Sequence, residues 1–256
     1  MVVTSLKSME EIRLGHIFSF PQMWTVEPWI KAWSTACIGM DCNGISPGFW
    51  KSIQILVPST VLSIFIGALT GYALSFWRVK WADLFLGTLL LGAFLPGQVF
   101  IYPLVKLYAM AGLSGTLAPL IITHVIFGLP VQTILFQNFF SAFPQDLFKA
   151  ARVDGVGFFQ IFFWVVLPMS FPIIVVGAIL KVTWVWNDFL LGVVFGGIRN
   201  RPMTVQLMNL VSPSEAEVLY NVNMAATILT ALVPLLVYFF SGRWFIRGIS
   251  AGAVKG

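Results

Sequence analysis

Charge is scarce in this 256-residue chain: 15 Lys and Arg and 10 Asp and Glu make up 10% of it, beside only two His and two Cys. Soluble domains usually carry about a quarter charged residues, so the balance argues against a soluble enzyme. No G-x-x-x-x-G-K-[ST] loop occurs, and ATP is not bound by that route. Neither Cys-x-x-Cys nor His-x-x-x-His is present, and two cysteines without His or acid ligands nearby make no zinc site. The pI of about 9.4 reflects basic residues scattered along the chain rather than gathered in a nucleic-acid stripe. No charged n-region precedes an apolar run at the start, so residues 1–50 hold no signal peptide.

Apolar residues are what the chain has in quantity. They form 58% of it, with 24 Phe and 10 Trp that demand burial and exclude disorder. A membrane-spanning helix needs about 20 mostly apolar residues to cross about 30 Å of hydrocarbon. Uncharged stretches run between Lys51 and Arg78, Asp83 and Lys106, Lys106 and Asp146, Asp154 and Lys181, and Glu217 and Arg243. They predict five helices over 52–77, 84–105, 118–140, 163–195 and 221–242, the fourth long enough to be broken or tilted. The fold class is an all-α, polytopic helical membrane protein, because lipid-facing backbone must satisfy its own hydrogen bonds. Residues 1–50 form an N-terminal segment and loop, 51–245 the spanning domain with a polar interruption at 141–162, and 246–256 a tail.

Prolines recur in or beside the spans, at Pro58, Pro96, Pro103, Pro119, Pro130, Pro168, Pro172 and Pro234. Membrane helices use them as kinks or as joints, and sequence does not separate the two. Ser63, Gly67, Gly71 and Ser75 repeat every four residues, a small face that admits a close helix neighbour within the chain or in a partner. Sidedness is undecided by charge, since seven basic residues fall on each side of the five spans. Cys37 and Cys42 sit in the Trp-, Gly- and Pro-rich loop at 15–49. Either they form a disulfide, which an oxidising compartment allows, or they stay as two thiols.

Lys181 and Asp188 lie seven residues apart, two turns on one helical face, among Trp184, Trp186, Asn187 and Phe189. Aromatic faces stack on sugar C–H surfaces, and amides and carboxylates bond hydroxyls, so Trp186, Asn187 and Asp188 are candidates for a substrate pathway. The alternative is an ion pair or snorkelling side chains within an interfacial tryptophan belt. His124 has no acidic partner at helical spacing and reads as a hydrogen-bonded structural residue. Gln98, Gln132, Gln137 and Asn138 either line a pathway or bond between helices.

The most specific segment interrupts the third and fourth spans: Phe143-Pro-Gln-Asp-Leu-Phe-Lys-Ala-Ala-Arg-Val-Asp-Gly-Val-Gly, running on to Leu167-Pro168. Pro144 suits a helix start, Ala150-Ala151 is compact, and Asp154-Gly155 ends the helix in a turn. The order Ala-Ala-x-x-Asp-Gly followed by an apolar stretch to Leu-Pro resembles the EAA loop of permease subunits from binding-protein-dependent ABC importers. Lys149 stands where that family usually has glutamate, and Val156 where alanine is common. The segments Thr4–Ser8 and Trp24-Thr25, with the tail Phe245–Gly256, are similar to the carbohydrate branch, specifically the second permease of maltose-type importers, with a fainter likeness to glucose/mannose-type permeases.

The resemblance implies a type I importer permease fold and a sugar-transport function in the inner (plasma) membrane. It implies that this chain is not an enzyme and carries no cofactor, ATP and Mg being bound by a partner ATPase. Ala150, Ala151, Asp154, Gly155 and Lys149 would couple to that ATPase. The partners implied are a second permease, two ATPase subunits, an extracytoplasmic sugar-binding protein and membrane lipid, with no nucleic acid. Residues 1–50 would lie outside, and the coupling loop and tail inside. Such permeases have six helices, so Met1 is expected to be an internal start with a first helix missing. An ion-coupled secondary transporter is the rival reading; it predicts inverted repeats and intramembrane acids, of which only Asp188 is available.

Overall fold

The computed structural model describes residues 1–15, 19–77, 79–212 and 218–253. Helices dominate the described residues, and the one β-bridge among them joins Ile38 to Asp41. Short helical turns at Val2–Ser5 and Met9–Arg13 lead to α1, Glu27–Ile30, which continues as a π-turn over Lys31–Thr35. The apolar elements follow as α2 (Ser46–Phe76), α3 (Ala82–Phe94), α4 (Gly97–Met110) and α5 (Ala118–Ser141). Then come α6 (Gln145–Val153), α7 (Phe158–Met169), α8 (Phe171–Asn187), α9 (Leu190–Phe195), α10 (Met203–Val211) and α11 (Tyr220–Ala253). Of the expected tail, 246–253 continues α11, while 254–256 lies outside the described residues, as do Arg78 and Glu217.

α2, α5 and Tyr220–Gly242 of α11 are each long and apolar enough to cross a membrane. The other two expected spans are bent pairs. α3 and α4 meet at 95°, and α7 and α8 at 78°. The first break follows from Pro96: a residue before proline is pushed out of the helical region, and Leu95 is extended at ψ 132°. In α7 the π-turn Phe162–Val166 runs directly into Pro168, which cannot donate the backbone bond a regular helix would need there. The fourth span also ends earlier than expected, at Asn187 rather than 195, with α9 a separate short helix. α2 begins ahead of the expected start at 52, because Pro47 is tolerated in a first helical turn.

The described chain divides into two units. One comprises Met1–Ile55, Leu113–Leu120 and Trp186–Leu236. Its interior is tied by single polar bonds between distant segments: Met203 N donates to Ser52 Oγ at 2.9 Å, and Gly48 N to Gln206 Oε1 at 3.0 Å. The Trp186 indole N–H donates to the Thr230 carbonyl at 2.9 Å while Phe49 packs edge-on against the ring at 5.8 Å. The other unit comprises Leu56–Gly112, Ile121–Val185 and the remainder of α11 from Val237. Its core is aromatic, built from Tyr72, Phe136, Phe140, Phe148 and Phe162.

The small-residue face of α2 is used inside the chain. A Cβ on Gly67 would stand 2.5 Å from Gln132 Cβ. One on Gly71 would stand 2.8 Å from Gln137 N and 2.9 Å from Phe136 Cβ, so α2 lies backbone-close to α5, as small residues at a helix interface allow. Ser75 closes the same row by donating to the Gln137 carbonyl at 3.3 Å.

Candidate functional site

α6 stands apart from the apolar helices in character, and its limits follow local chemistry. Pro144, extended at ψ 119°, precedes the first turn. At the far end Asp154 N and Gly155 N donate to the Ala150 and Arg152 carbonyls at 3.0 and 3.1 Å. Gly155 then takes a φ of 77°, the left-handed conformation that ends helices and that glycine adopts without penalty. Val156 N reaches back to the Ala151 carbonyl at 3.1 Å and locks the turn.

A buried side chain fastens this helix to the unit beneath it. Phe148 stacks on Phe76 at 3.5 Å between ring centroids, with Tyr72 at 6.4 Å. Arg152 lies over the Trp77 ring at 4.9 Å, a cation–π contact that holds the last turn. The opposite side is open: Lys149, Ala150, Val153, Asp154 and Gly155 are exposed, and Ala151 is half-buried. Val153, at 87% exposure, is an apolar side chain facing out near small Ala150. Lys149 bonds Asp146 at 3.0 Å across one turn. The outer side of α6 is therefore mixed, with small Ala150 and apolar Val153 standing among the charged Lys149, Arg152 and Asp154.

The tryptophan segment is arranged differently from a single open site. Trp186 is buried, its N–H and ring both occupied as described above, and it offers no face to a solute. Asp188 lies past the end of α8, so the seven-residue spacing from Lys181 does not run along one helix. Its carboxylate accepts from Leu191 N at 3.3 Å and Gly192 N at 3.0 Å, holding the start of α9, and its carbonyl accepts from Thr204 Oγ1 at 2.6 Å. Asn187 is exposed at the end of α8. Replacing Asp188 with alanine is expected to lower stability by about 1–2 kcal/mol, since two backbone N–H groups lose a charged acceptor. The thermal midpoint of the detergent-solubilised protein reads this, and an unchanged midpoint would show that the carboxylate holds nothing.

Lys181 instead donates to the backbone carbonyl of His124, and both residues are buried. Gln132 is buried with its Nε2 on the Gly177 carbonyl at 3.0 Å. Gln98 and Asn138 are exposed, and the Gln137 carbonyl accepts from Ser75. Among the described residues no group of His, Cys, Asp and Glu is placed to hold a metal ion. Cys37 and Cys42 are joined in a disulfide that closes the hairpin in which Ile38 N donates to the Asp41 carbonyl at 2.7 Å.

Three apolar helices and two sharply bent apolar pairs among the described residues, interrupted by a short exposed helix, are those of a multi-pass helical membrane protein. The chain belongs to the family described as binding-protein-dependent transport system inner membrane components, which it matches over residues 63–251, α6 included. It is 36% identical over 215 residues to the osmoprotective compounds uptake permease protein GgtD of Synechocystis sp., covering 83% of this chain and 72% of that one. To the alpha-glucoside transport system permease protein AglG of Rhizobium meliloti it is 33% identical, over 99% of this chain and 67% of that protein. The glucose import system permease protein GlcU of Saccharolobus solfataricus is 32% identical over 80% of this chain and 75% of its own length. In fold the chain is similar to a bacterial ABC transporter involved in the import of the acidic polysaccharide alginate, with TM-score 0.79 at 17% identity, over 94% of this chain and 87% of that one.

Proposed function

We propose that this chain is a permease subunit of an ATP-driven ABC importer for sugars, and that α6 with its glycine turn is the element through which a separate ATPase drives it. The observation that carries this reading is α6 itself: a nine-residue helix outside the apolar spans, anchored by a buried phenylalanine and open along its outer side. Relatives whose names specify alpha-glucoside and glucose transport support sugar as the solute class. The complex would contain a second permease, two ATPase subunits and an external sugar-binding protein. Residues 1–50, with the Cys37–Cys42 hairpin, would lie outside, and 141–162 and the tail would lie inside. ATP and Mg belong to the ATPase. Its closure on ATP would carry α6 with it, and Ala150, Ala151, Asp154, Gly155 and Lys149 would bear the contact. Transport then follows from the ATPase binding one arrangement of the spans better than the other.

Gentle detergent purification of the tagged chain from its own cells, followed by mass spectrometry, tests the assembly. A stoichiometric ATPase and second permease are expected with the wild type. In Gly155→Pro the ring fixes φ at about −65°, whereas the turn has a φ of 77°. This variant is expected to lose the ATPase while the second permease stays. A chain that purifies alone or as a homo-oligomer would overturn the importer reading and put the ion-coupled transporter first.

A further inference from the structure

One cavity has mostly apolar walls, with a few polar residues in its lining whose hydrogen-bonding capacity packing leaves incompletely used. It measures about 620 Å³, and its lining includes Thr88 of α3, Gly128 and Gln132 of α5, and Lys181 and Trp184 of α8. Lys181 is 3% exposed, and the His124 carbonyl accepts from its ammonium group, which carries three donors. Gln132 is 2% exposed; its Nε2 is satisfied, while its Oε1 has no hydrogen-bond partner among the described residues. Buried polar atoms are nearly always paired, so an unpaired buried acceptor and a donor-rich ammonium on two residues that line one cavity mark a place where something polar binds.

Glycines make the room for both groups. A Cβ on Gly128 would stand 2.3 Å from Lys181 Nζ, and one on Gly177 would stand 2.6 Å from Gln132 Oε1. The backbone is bare at the two places where a donor and an acceptor must turn. Trp184, 63% exposed, supplies an aromatic face in the same lining.

Resting on the sugar-import reading above, we infer that this cavity is a sugar-binding subsite carried by this subunit. Sugar hydroxyls both accept and donate: one accepts from Lys181 Nζ, another donates to Gln132 Oε1, and the C–H face of the ring lies on Trp184. A lipid phosphate would meet the ammonium but carries no proton at neutral pH to give Gln132, and a headgroup has at most a hydroxyl or two to offer there. The chemistry therefore favours a polyol over an anionic lipid.

The test uses the whole importer in membrane vesicles, with radiolabelled glucose and maltose as probes. Lys181→Gln and Trp184→Ala are each expected to raise KM for the transported sugar about tenfold, or about 1.4 kcal/mol. The maximal rate and the co-purified ATPase should be unchanged, and Trp184→Phe should restore most of the affinity. In Trp184→Cys, saturating sugar should slow labelling by N-ethylmaleimide at least threefold. Because the two native cysteines are joined to each other, the labelling read in this chain is that of the introduced thiol. KM values within twofold of wild type together with sugar-independent labelling would overturn the subsite and leave the import reading standing. Labelling slowed by phosphatidylglycerol in the vesicles but not by sugar would make it a lipid site and also overturn the proposal. Failure of the wild-type importer to take up either sugar would remove the import reading, and the subsite with it.

Discussion

Gly71→Leu is expected to prevent the spanning helices from assembling, with the detergent-solubilised protein running as aggregate and its thermal transition broadened or gone. At this position the nearest atoms to a new Cβ are the Gln137 backbone nitrogen at 2.8 Å and Phe136 Cβ at 2.9 Å. Neither can swing away as a side-chain tip would, because both are fixed by the course of α5. Adding methylenes to a well-packed interior costs about 1–3 kcal/mol when the site can partly yield. Leucine here must separate two helices along their whole contact, and the cost should exceed that range and approach the total stability of about 5–15 kcal/mol typical of folded proteins. Gly87→Leu is the control, since nothing lies within 4 Å of a Cβ built there. Fluorescence-detected size exclusion and a thermal melt separate the outcomes; a Gly71→Leu protein that melts like wild type would mean that α2 and α5 do not touch through this face.

The second large effect belongs to Phe148→Ala. Removing a buried aromatic side chain costs about 3–5 kcal/mol, and here it takes away the buried anchor of α6 on Phe76 and Tyr72. The spans should still insert, because the cut falls at the edge of their core. Sugar uptake, by contrast, should fall at least tenfold, because a helix that no longer moves rigidly with the spans cannot transmit a displacement. The informative comparison is Asp146→Ala, at an exposed position paired with Lys149, a surface pairing of the kind that contributes little; its uptake should stay within about twofold of wild type. Uptake and the ATPase content of the purified complex are the measurements. Full transport by the Phe148→Ala protein would refute the role given to the anchor.

Features signalled by adjacent residues are legible in the sequence. Pro144 and Asp154-Gly155 bracket α6 as expected, since a helix start and a left-handed turn depend on their own few residues. Pro96 and Pro168 mark where helices cannot continue, but the angles of 95° and 78° are set by what the halves pack against. α1 and α10 also have prolines at their starts, Pro28 and Pro202, but each is short, and α10 draws its support from afar: Ser52 caps its start, and Gln206 bonds Gly48. The partnership of Lys181 with the His124 carbonyl joins two different helices and depends on bare Gly128 opposite, so no local spacing announces it. Placing Lys181 and Asp188 on one helical face assumes that α8 continues through 188. Helical periodicity carries no mark of where tertiary contacts end a helix, and the carboxylate is instead used on the first turn of α9.

The Lys149–Asp146 pair bears on how the outer face of α6 would be found by a partner. Two proteins approaching through solution are oriented by the fields of their unbalanced charges, which fade over a Debye length of about 8 Å at physiological salt. Here a cation is matched by an anion one turn away, and the second cation, Arg152, leans over an indole. Such a face exerts little pull at a distance and is discriminating only on contact, through the shape of Ala150 and Val153. Recognition of this kind is slow to begin but is scarcely disturbed by changes in salt. Charge at Lys149 and Asp146 could then change as a pair without altering the shape that a partner would meet.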